Sequence, residues 1–287
     1  MRRIAQPLRG PPGTGYHRLS QAKHQLLYAE LIAPTYLRRP VARDNPVVVY
    51  LVGEPGTDTL QAGWLVKRAM RPGAIRLDPE KLRGVHPDYY QLLIDEPRTA
   101  AEAVCADSRA WMAQAQTYLR GLHADMLIDA DFDSGEDFLD SARRDQRAGY
   151  RVEVVALAAR ATDSRQRTAV HYARAAQLDL HAPFPTAAAH QSIFRAGAEI
   201  VAAAETSTIV SAVTIVDRGH QALHRHQAGQ KPGWASWALA AERHRLYSEQ
   251  EASRFLAVDR ALAAALPYRI PHRQPAAGAH AVRLGAP

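Results

Sequence analysis

The sequence predicts an α/β fold with a parallel β-sheet, helices on both faces of the sheet and a helical extension near the C-terminus. The stretch "PVVVYLVG" (46–53) is a continuous apolar, β-branched run, which is typical of a strand covered on both faces. Such runs alternate with helical patterns along the chain, and this order favours a parallel sheet. The later stretch "ASWALAAERHRLYSEQEASRFLAVDRALAAAL" (235–266) predicts two further helices.

Four more segments are predicted strands because they are short, apolar and rich in β-branched residues. Helical patterns lie between them, including one that ends at Gly149 and an alanine-rich one that begins near residue 186. The chain shows no internal repeat. The four segments are "AIRLD" (74–78), "ADMLIDAD" (124–131), "YRVEVVALAA" (150–159) and "STIVSAVTIVD" (207–217).

Polar residues at the starts of the helical patterns are predicted N-caps. Ser20 precedes "QAKHQLLYAELI", and Asp163 precedes "SRQRTAVHYARAA". Thr99 and Glu102 have the spacing of a capping box. One face of the helix that follows is predicted to carry Trp111, Ala115, Tyr118 and Leu119.

Composition places the chain among ordinary globular proteins. Of its 287 residues, 47% are hydrophobic and 23% are charged, and the net charge is +7. The arginines are scattered rather than clustered in a stripe, so no nucleic-acid partner is predicted. The single Cys105 excludes an internal disulfide and is typical of a reducing cytosol.

The chain is predicted to be cytoplasmic. No run approaches the roughly 18 consecutive apolar residues of a membrane helix. The basic N-terminal stretch lacks the apolar segment of a secretory signal. Pro- and Gly-rich composition predicts a flexible N-terminus (1–15) and a flexible tail (267–287), which flank a main domain (16–225) and C-terminal helices (226–266).

The stretch "GEPGTDTL" (53–60) occupies the position of a phosphate-binding loop, because it follows a strand and precedes an apolar helix. Such loops read G-x-x-x-x-G-K-S/T. Counting from Gly53, Asp58 replaces the second glycine, Thr59 replaces the lysine and Leu60 replaces the hydroxyl residue. The candidate nucleotide-binding residues are Gly53, Glu54, Pro55, Gly56, Thr57, Asp58, Thr59 and Leu60.

Asp58 introduces a negative charge where a phosphate would bind. At the start of a helix its carboxylate can cap the free N–H groups that would otherwise hold phosphate. We therefore interpret Asp58 as an internal substitute for the phosphate. Lys67 is a poor replacement for the missing lysine because two helical turns, about 12 Å, separate it from the loop.

Several stretches in the same order resemble the zeta toxin family, the P-loop kinases of epsilon/zeta toxin–antitoxin systems. The resemblance runs from about residue 16 to 219. "LDPEKLRGVHPDYYQLL" (77–93) is similar to the family motif D-x-D-x-x-R-x-x-H-P-x-Y. The other matching stretches are "LSQAKHQLLYAELIAPTYL" (19–37), "MLIDAD" (126–131), "AGYRVEVVALAARATDSRQRTAVHYA" (148–173) and "PTAAAHQ" (185–191).

The resemblance implies a P-loop kinase-like fold and a kinase that moves the γ-phosphate of Mg-ATP to the 3′-hydroxyl of UDP-N-acetylglucosamine. It also implies a small helical antitoxin as partner. By the same resemblance Glu80 occupies the position of the general base, with Asp78 beside it. A glutamate there either accepts the proton from a longer side chain or belongs to a capped turn with solvated carboxylates, and the sequence leaves both open.

The resemblance assigns further positions, most of them altered. Asp129 replaces the glutamate at the end of a strand, and Ala130-Asp131 replaces Gly-Thr. His171 replaces a phosphate-clamping arginine and so loses a planar donor fork. The second such arginine falls near Pro183, and the family's sugar-contacting glutamate falls near Ala113. The candidate substrate-binding residues are Arg83, His86, Asp131 and His190.

No metal site is predicted. "DADFDSGEDFLD" (129–140) has the acidic spacing of a calcium loop, but Ser134 stands at the position that requires glycine. His220, His224 and His226 are close in sequence, but the resemblance places a hairpin there, which turns at Arg218-Gly219, so solvated histidines are favoured.

Three functions remain open. The first is a pseudokinase that binds a partner or a nucleotide sugar without phosphoryl transfer, because the charges that stabilise transferred phosphate are missing together. The second is an active small-molecule kinase that uses Glu80 as base. The third is a protein-binding decoy or scaffold that needs no small ligand.

Overall fold

The computed structural model describes residues 17–265. The predicted flexible segments, 1–15 and 267–287, lie outside the described residues. Six strands form one sheet in the order β2-β3-β1-β4-β5-β6, and all neighbouring pairs are parallel except β5–β6. The strands are β1 Val47–Val52, β2 Ile75–Leu77, β3 Met126–Asp129, β4 Arg151–Leu157, β5 Val210–Val216 and β6 Ala222–Gln227.

Helices connect the parallel strands and follow β6. The first helix continues through a π-helical turn, Tyr28–Ile32. The α-helices are α1 Gln21–Leu27, α2 Ala33–Tyr36, α3 Thr59–Ala69, α4 Pro79–Arg83, α5 Tyr89–Asp95, α6 Ala100–Ala103, α7 Cys105–Gly121, α8 Gly135–Arg147, α9 Ala161–Gln177, α10 Ala187–Thr206, α11 Trp234–His244 and α12 Glu249–Ala265.

Side chains of β1 point alternately to two apolar layers, as the continuous apolar run predicted. Tyr50 and Val52 lie in the larger core, which also contains side chains of α7, α8, α10 and α11. Val49 and Leu51 lie in a smaller core on the opposite face, against Ala62 of α3. Because both faces of the central strand are covered, both sets of alternating residues must be apolar.

The parallel register brings the ends of three strands to one edge of the sheet. Leu51 of β1 is paired with Asp129 of β3 and with Val155 of β4. The chain then leaves β1 at Gly53 and enters the loop before α3. The segments that follow β1, β3 and β4 therefore share the edge where open α/β sheets place their ligands.

The structure confirms some predicted local signals and corrects others. The Ser20 hydroxyl accepts a hydrogen bond from the Lys23 N–H and caps α1. Thr99 precedes α6 but makes no side-chain cap. The prediction for Asp163 was wrong, because α9 begins at Ala161 and Asp163 lies in its first turn. Tyr118 was also placed wrongly: it is 48% exposed, whereas its predicted neighbours Trp111, Ala115 and Leu119 are buried.

The C-terminal part extends the sheet before it becomes helical. β5 and β6 form an antiparallel hairpin, and the Asp217 carboxylate in its turn accepts hydrogen bonds from the N–H groups of Gly219 and Gln221. The predicted boundary after residue 225 therefore falls inside β6. Two helices follow, as predicted. Within residues 17–265 no helix is both long and apolar enough to cross a membrane.

Candidate functional site

The loop between β1 and α3 keeps a tightly turned backbone. Gly56 has φ +80° and Asp58 has φ +60°, both in the left-handed region. Glycine adopts this conformation without strain, and aspartate is one of the few other residues that tolerates it. Asp58 therefore preserves the backbone conformation at a position where phosphate-binding loops carry glycine.

The space above Gly53 is filled by side chains of the loop itself. A Cβ atom added at Gly53 would lie 2.6 Å from Thr59 Cγ2 and 2.8 Å from Thr57 Oγ1. The Thr57 hydroxyl donates a hydrogen bond of 2.6 Å back to the Glu54 carbonyl oxygen. Thr59, at the predicted lysine position, thus packs over the loop and brings no charge.

Asp58 caps α3, as the sequence predicted. Its carboxylate accepts a hydrogen bond of 3.4 Å from the Gln61 N–H in the first turn of the helix. A capped helix end has one donor fewer for an external anion, and the carboxylate adds a negative charge at the same place. Leu60, at the metal-binding hydroxyl position, is 66% exposed.

The side chain of the loop residue Glu54 is buried and forms an ion pair with Arg243 of α11. The Arg243 guanidinium also lies 3.9 Å from the centre of the Phe194 ring. Burial raises the pKa of Glu54, although the neighbouring Arg243 acts in the opposite direction. The two residues are 189 positions apart, so no local sequence pattern could have identified this contact.

Helix α9 packs directly on the loop. The Ser164 hydroxyl donates a hydrogen bond of 2.6 Å to the Pro55 carbonyl oxygen. A Cβ atom added at Gly56 would lie 2.6 Å from the Ser164 carbonyl oxygen and 2.8 Å from the Thr168 nitrogen. Only glycine allows this approach, because the contacted atoms belong to the backbone.

His190 of α10 lies behind the same contact. Its Nε2 atom is 2.7 Å from the Ser164 hydroxyl, and its side chain is buried. Burial, with a smaller effect from Arg165, lowers the pKa of His190 to about 4. The imidazole is therefore neutral near pH 7 and supports the loop through Ser164.

Asp129, at the end of β3, has its carboxylate engaged by Arg76. The guanidinium donates to both carboxylate oxygens, at 3.0 and 2.6 Å. It also donates to the carbonyl oxygens of Thr59 and Leu60, at 2.9 and 3.2 Å. Arg76 therefore ties the strand end to the start of α3, and sequence reasoning had not singled it out.

A second group of charged residues lies around α4 and the chain after β3. Glu80 is about half exposed, and it accepts hydrogen bonds from the Tyr89 hydroxyl at 2.6 Å and from Arg83 at 3.1 Å. Arg83 also donates to Asp131 at 2.6 Å. Burial, followed by the charge of Glu80, raises the pKa of the Tyr89 hydroxyl.

Two further residues complete this group, which we call the Glu80 cluster: Glu80, Arg83, Arg109, Asp131 and Asp133. Arg109 of α7 donates to both oxygens of Asp133, at 2.6 and 2.7 Å, and lies 3.8 Å from Asp131. Asp133 is 71% exposed on its side chain. The cluster is thus an open, charged surface, and the sequence had indicated Glu80, Arg83 and Asp131 but neither Arg109 nor Asp133.

Asp78 lies between the two groups. Its carboxylate accepts a hydrogen bond of 3.0 Å from the Glu80 N–H and caps α4. Burial raises the pKa of Asp129, and the charge of Asp78 acts in the same direction as a smaller effect. The capped-turn interpretation therefore describes the backbone here, and Glu80 keeps an exposed carboxylate.

The expectation of solvated histidines was wrong for His226, which is buried in β6 with its Nδ1 atom 3.7 Å from Glu205. The two remaining site histidines, His86 and His171, differ in burial. His86 is buried, and its Nδ1 atom accepts from the Asp88 N–H while Nε2 donates to the His17 carbonyl oxygen at 3.0 Å. Nε2 also lies 3.6 Å from the Asp107 carboxylate, so His86 links the turn before α5 to α7 and to the segment before α1. His171 is exposed on α9.

The acidic stretch after β3 has no arrangement suited to a metal ion. Asp129, Asp131 and Asp133 are paired with arginines, and Ser134 caps α8. Within the described part of the chain, no three His, Cys, Asp or Glu residues are grouped closely enough to hold one.

Comparison with known proteins identifies the relatives of this architecture. The family model described as "Zeta toxin" matches residues 35–228. No curated protein matched the chain. A similar solved structure is described as the PezAT chromosomal toxin–antitoxin system of Streptococcus pneumoniae: the TM-score is 0.72 at 15% identity, and the match covers 87% of this chain and 99% of that one.

Two weaker matches are complexes of AvrRxo1-ORF1 with AvrRxo1-ORF2. The native complex has a TM-score of 0.53 at 12% identity, with 89% of this chain and 91% of that chain covered. The complex described with ATP has a TM-score of 0.50 at 13% identity, with 86% and 82% covered. These structures share the P-loop kinase-like α/β fold that the sequence predicted. Because the family model spans most of the chain, this protein belongs to the zeta toxin family.

Proposed function

We propose that this chain is a pseudokinase of the zeta toxin family, with phosphoryl transfer lost or much reduced. The observation that carries the proposal is Thr59, which stands at the position of the phosphate-binding lysine and packs over Gly53. That lysine neutralises the β- and γ-phosphates in P-loop enzymes. A threonine methyl and hydroxyl cannot supply this charge.

The charges that remain near the loop support the same proposal. The Asp58 carboxylate lies at the start of α3 and disfavours a polyphosphate there. The other loop carboxylate, Glu54, is already paired with Arg243. Two cations that contact this segment, Arg76 and Arg243, are each paired with a carboxylate. Binding a triphosphate here would require these pairs to break, at a cost that an unpaired buried charge makes large.

Charged side chains remain accessible in the Glu80 cluster. The Glu80 cluster is open to solvent and mixes both charges, so it suits recognition of a polar ligand or a protein surface. The structural neighbours are toxin–antitoxin and two-protein complexes, which supports a small antitoxin as partner. A nucleotide sugar such as UDP-N-acetylglucosamine is the small ligand that the family suggests. In this proposal the protein meets the antitoxin and the nucleotide sugar in the cytoplasm.

The second candidate is an active kinase that uses Glu80 as base and Mg-ATP as phosphate donor. One observation favours it: the Glu80 carboxylate is about half exposed beside Arg83, so a substrate hydroxyl can reach it as a proton acceptor requires. The third candidate, a protein-binding decoy or scaffold, differs from the pseudokinase only in having no small ligand.

Calorimetry and product analysis distinguish the three. We expect the wild-type chain to show no heat of binding with Mg-ATP and no phosphorylated UDP-N-acetylglucosamine by ³¹P NMR. Binding of the sugar nucleotide alone supports a pseudokinase that senses it. If neither Mg-ATP nor the sugar nucleotide binds, the result supports the decoy or scaffold. Tight ATP binding with a phosphorylated sugar product would refute the pseudokinase.

A loop variant tests the assigned cause. Asp58→Gly, Thr59→Lys and Leu60→Thr together restore the residue types of a phosphate-binding loop. If the lost side chains are the reason for inactivity, the triple variant binds Mg-ATP and the wild type does not. The matched control, Leu60→Thr alone, restores no charge and should behave as wild type. ATP binding by that control would show that the lysine position is not decisive.

A further inference from the structure

The C-terminal helices contact both sides of the loop site. Arg243 of α11 forms the buried ion pair with Glu54 in the loop. The pair lies against Gly197 of α10, where an added Cβ atom would be 3.1 Å from the Arg243 guanidinium. Because both side chains are buried, removing either leaves a charge without water or partner, which is strongly unfavourable.

The turn between α11 and α12 holds the start of α9. Arg160, which precedes α9, donates to Asp163 at 2.9 Å and to Glu251 of α12 at 3.1 Å. Its guanidinium lies 3.7 Å from the centre of the Tyr247 ring, and the Tyr247 hydroxyl donates to Asp163 at 2.9 Å. Cation–π contacts and charge-assisted hydrogen bonds are among the stronger polar interactions where much of the water is excluded.

Helix α12 also packs along α9. Gln166 donates a hydrogen bond of 2.8 Å to the Phe255 carbonyl oxygen. Leu262 lies in one apolar cluster with Ala169 and Ala173. The helix whose first turns cover Gly56 is thus attached to the C-terminal helices over most of its length.

The start of α11 is attached to α10. The Glu205 carboxylate accepts hydrogen bonds from the N–H groups of Ala235 and Ser236 and from the Ser236 hydroxyl, at 2.7, 3.0 and 2.8 Å. It therefore caps α11 from outside the helix. The C-terminal helices therefore contact the main domain at three places: the start of α11, the loop and α9.

We propose that α11 and α12 form an intramolecular clasp that closes the loop and α9 on each other. Arg243 holds the loop, Tyr247 and Glu251 hold α9, and the Ser164–Pro55 hydrogen bond joins the two held parts. The loop, the start of α9 and the clasp then open together, as one unit. The proposal rests on these contacts alone and holds whether or not the loop binds nucleotide.

Hydrogen exchange of the full chain, followed by mass spectrometry without any ligand, tests the clasp. Tyr247→Ala removes contacts to α9 and touches no loop residue. Because the parts open together, we expect it to increase exchange at least tenfold in peptides that cover the loop (53–60) as well as in those from α9. Peptides from β2 and β3 should change less than twofold.

The reciprocal variant is Arg243→Met, which removes the contact to the loop. We expect increased exchange at the loop and also at α9, which Arg243 does not hold. The double variant Glu54→Leu/Arg243→Met removes both charges and should return loop exchange to within about threefold of wild type, since apolar replacement of a whole buried pair is tolerated. If Arg243→Met alone does not fold, the double variant takes its place in the exchange measurement.

A matched control breaks a buried pair elsewhere. Arg120 of α7 pairs with the fully buried Asp145 of α8. Arg120→Met should increase exchange in α7 and α8 and leave the loop unchanged. The clasp is overturned if Tyr247→Ala loosens α9 but not the loop. It is also overturned if every variant, the control included, raises exchange uniformly, because the pairs would then contribute only to global stability.

Discussion

The loop and the Glu80 cluster lie at the same edge of the sheet but differ in how their charges are used. In the loop, Glu54 is buried with Arg243, and Asp58 caps the helix that follows it. In the cluster, Glu80 and Asp133 remain exposed beside their arginines. The loop carboxylates are engaged by internal partners, whereas solvent or a ligand can reach the exposed carboxylates of the cluster.

The difference has an energetic consequence. Buried polar groups and close backbone contacts are costly to disturb, because lost partners are not replaced by water. Exposed ion pairs contribute little and are screened by salt. We therefore expect substitutions around the loop to affect stability much more than equivalent substitutions in the cluster, and three experiments test this in order of effect.

The largest effect is expected for Gly56→Ala. Gly56 has φ +80°, and the added methyl group would meet backbone atoms of α9 at 2.6 and 2.8 Å. Strain and overpacking together predict a loss of about 3–5 kcal/mol in the free energy of unfolding, measured by denaturant titration.

Gly149→Ala is the matched control, because Gly149 has φ +84° and no atom within 4 Å of an added Cβ. It should lose only about 1–2 kcal/mol from backbone strain. Equal losses in the two variants would show that α9 does not press on the loop.

The second effect concerns pH. The pKa of His190 is lowered from 6.5 to about 4 by burial, so the unfolded chain binds a proton between these values and the folded chain does not. Stability contributed by the neutral imidazole is therefore lost as the pH falls through this window, by about 1.4 kcal/mol per pH unit. His190→Gln cannot titrate, so its stability should fall less steeply between pH 6.5 and 4. Parallel pH profiles of wild type and variant would contradict a buried, neutral His190.

The smallest effect is expected in the Glu80 cluster. Asp133→Asn removes the negative charge and one of the two oxygens that accept from Arg109, but the pair is exposed. The free energy of unfolding should change by less than about 1 kcal/mol, and the difference should disappear at about 1 M salt. A loss as large as that of Gly56→Ala would mean that the cluster is as closed as the loop.

Sequence patterns predicted the sheet and most helices because the relevant forces are periodic along the chain. The alternation in β1 and the capping geometry at Ser20 and Asp58 depend on neighbours within a few residues, and both were found as predicted. The cap at Asp163 was wrong, and Tyr118 is exposed although its predicted neighbours on the same face are buried. In those cases packing between helices, rather than local spacing, decides where a helix begins and which residue is covered.

By itself, the sequence determined the position of the loop, the residue types in it and the resemblance to the zeta toxin family, since each depends on residue type and order. Only the tertiary structure decided which partners the charged side chains take. Glu54 meets Arg243, Asp129 meets Arg76 and Arg109 meets Asp133 across long stretches of chain. A charge selects its partner by distance and burial in space, and sequence separation carries no information about either.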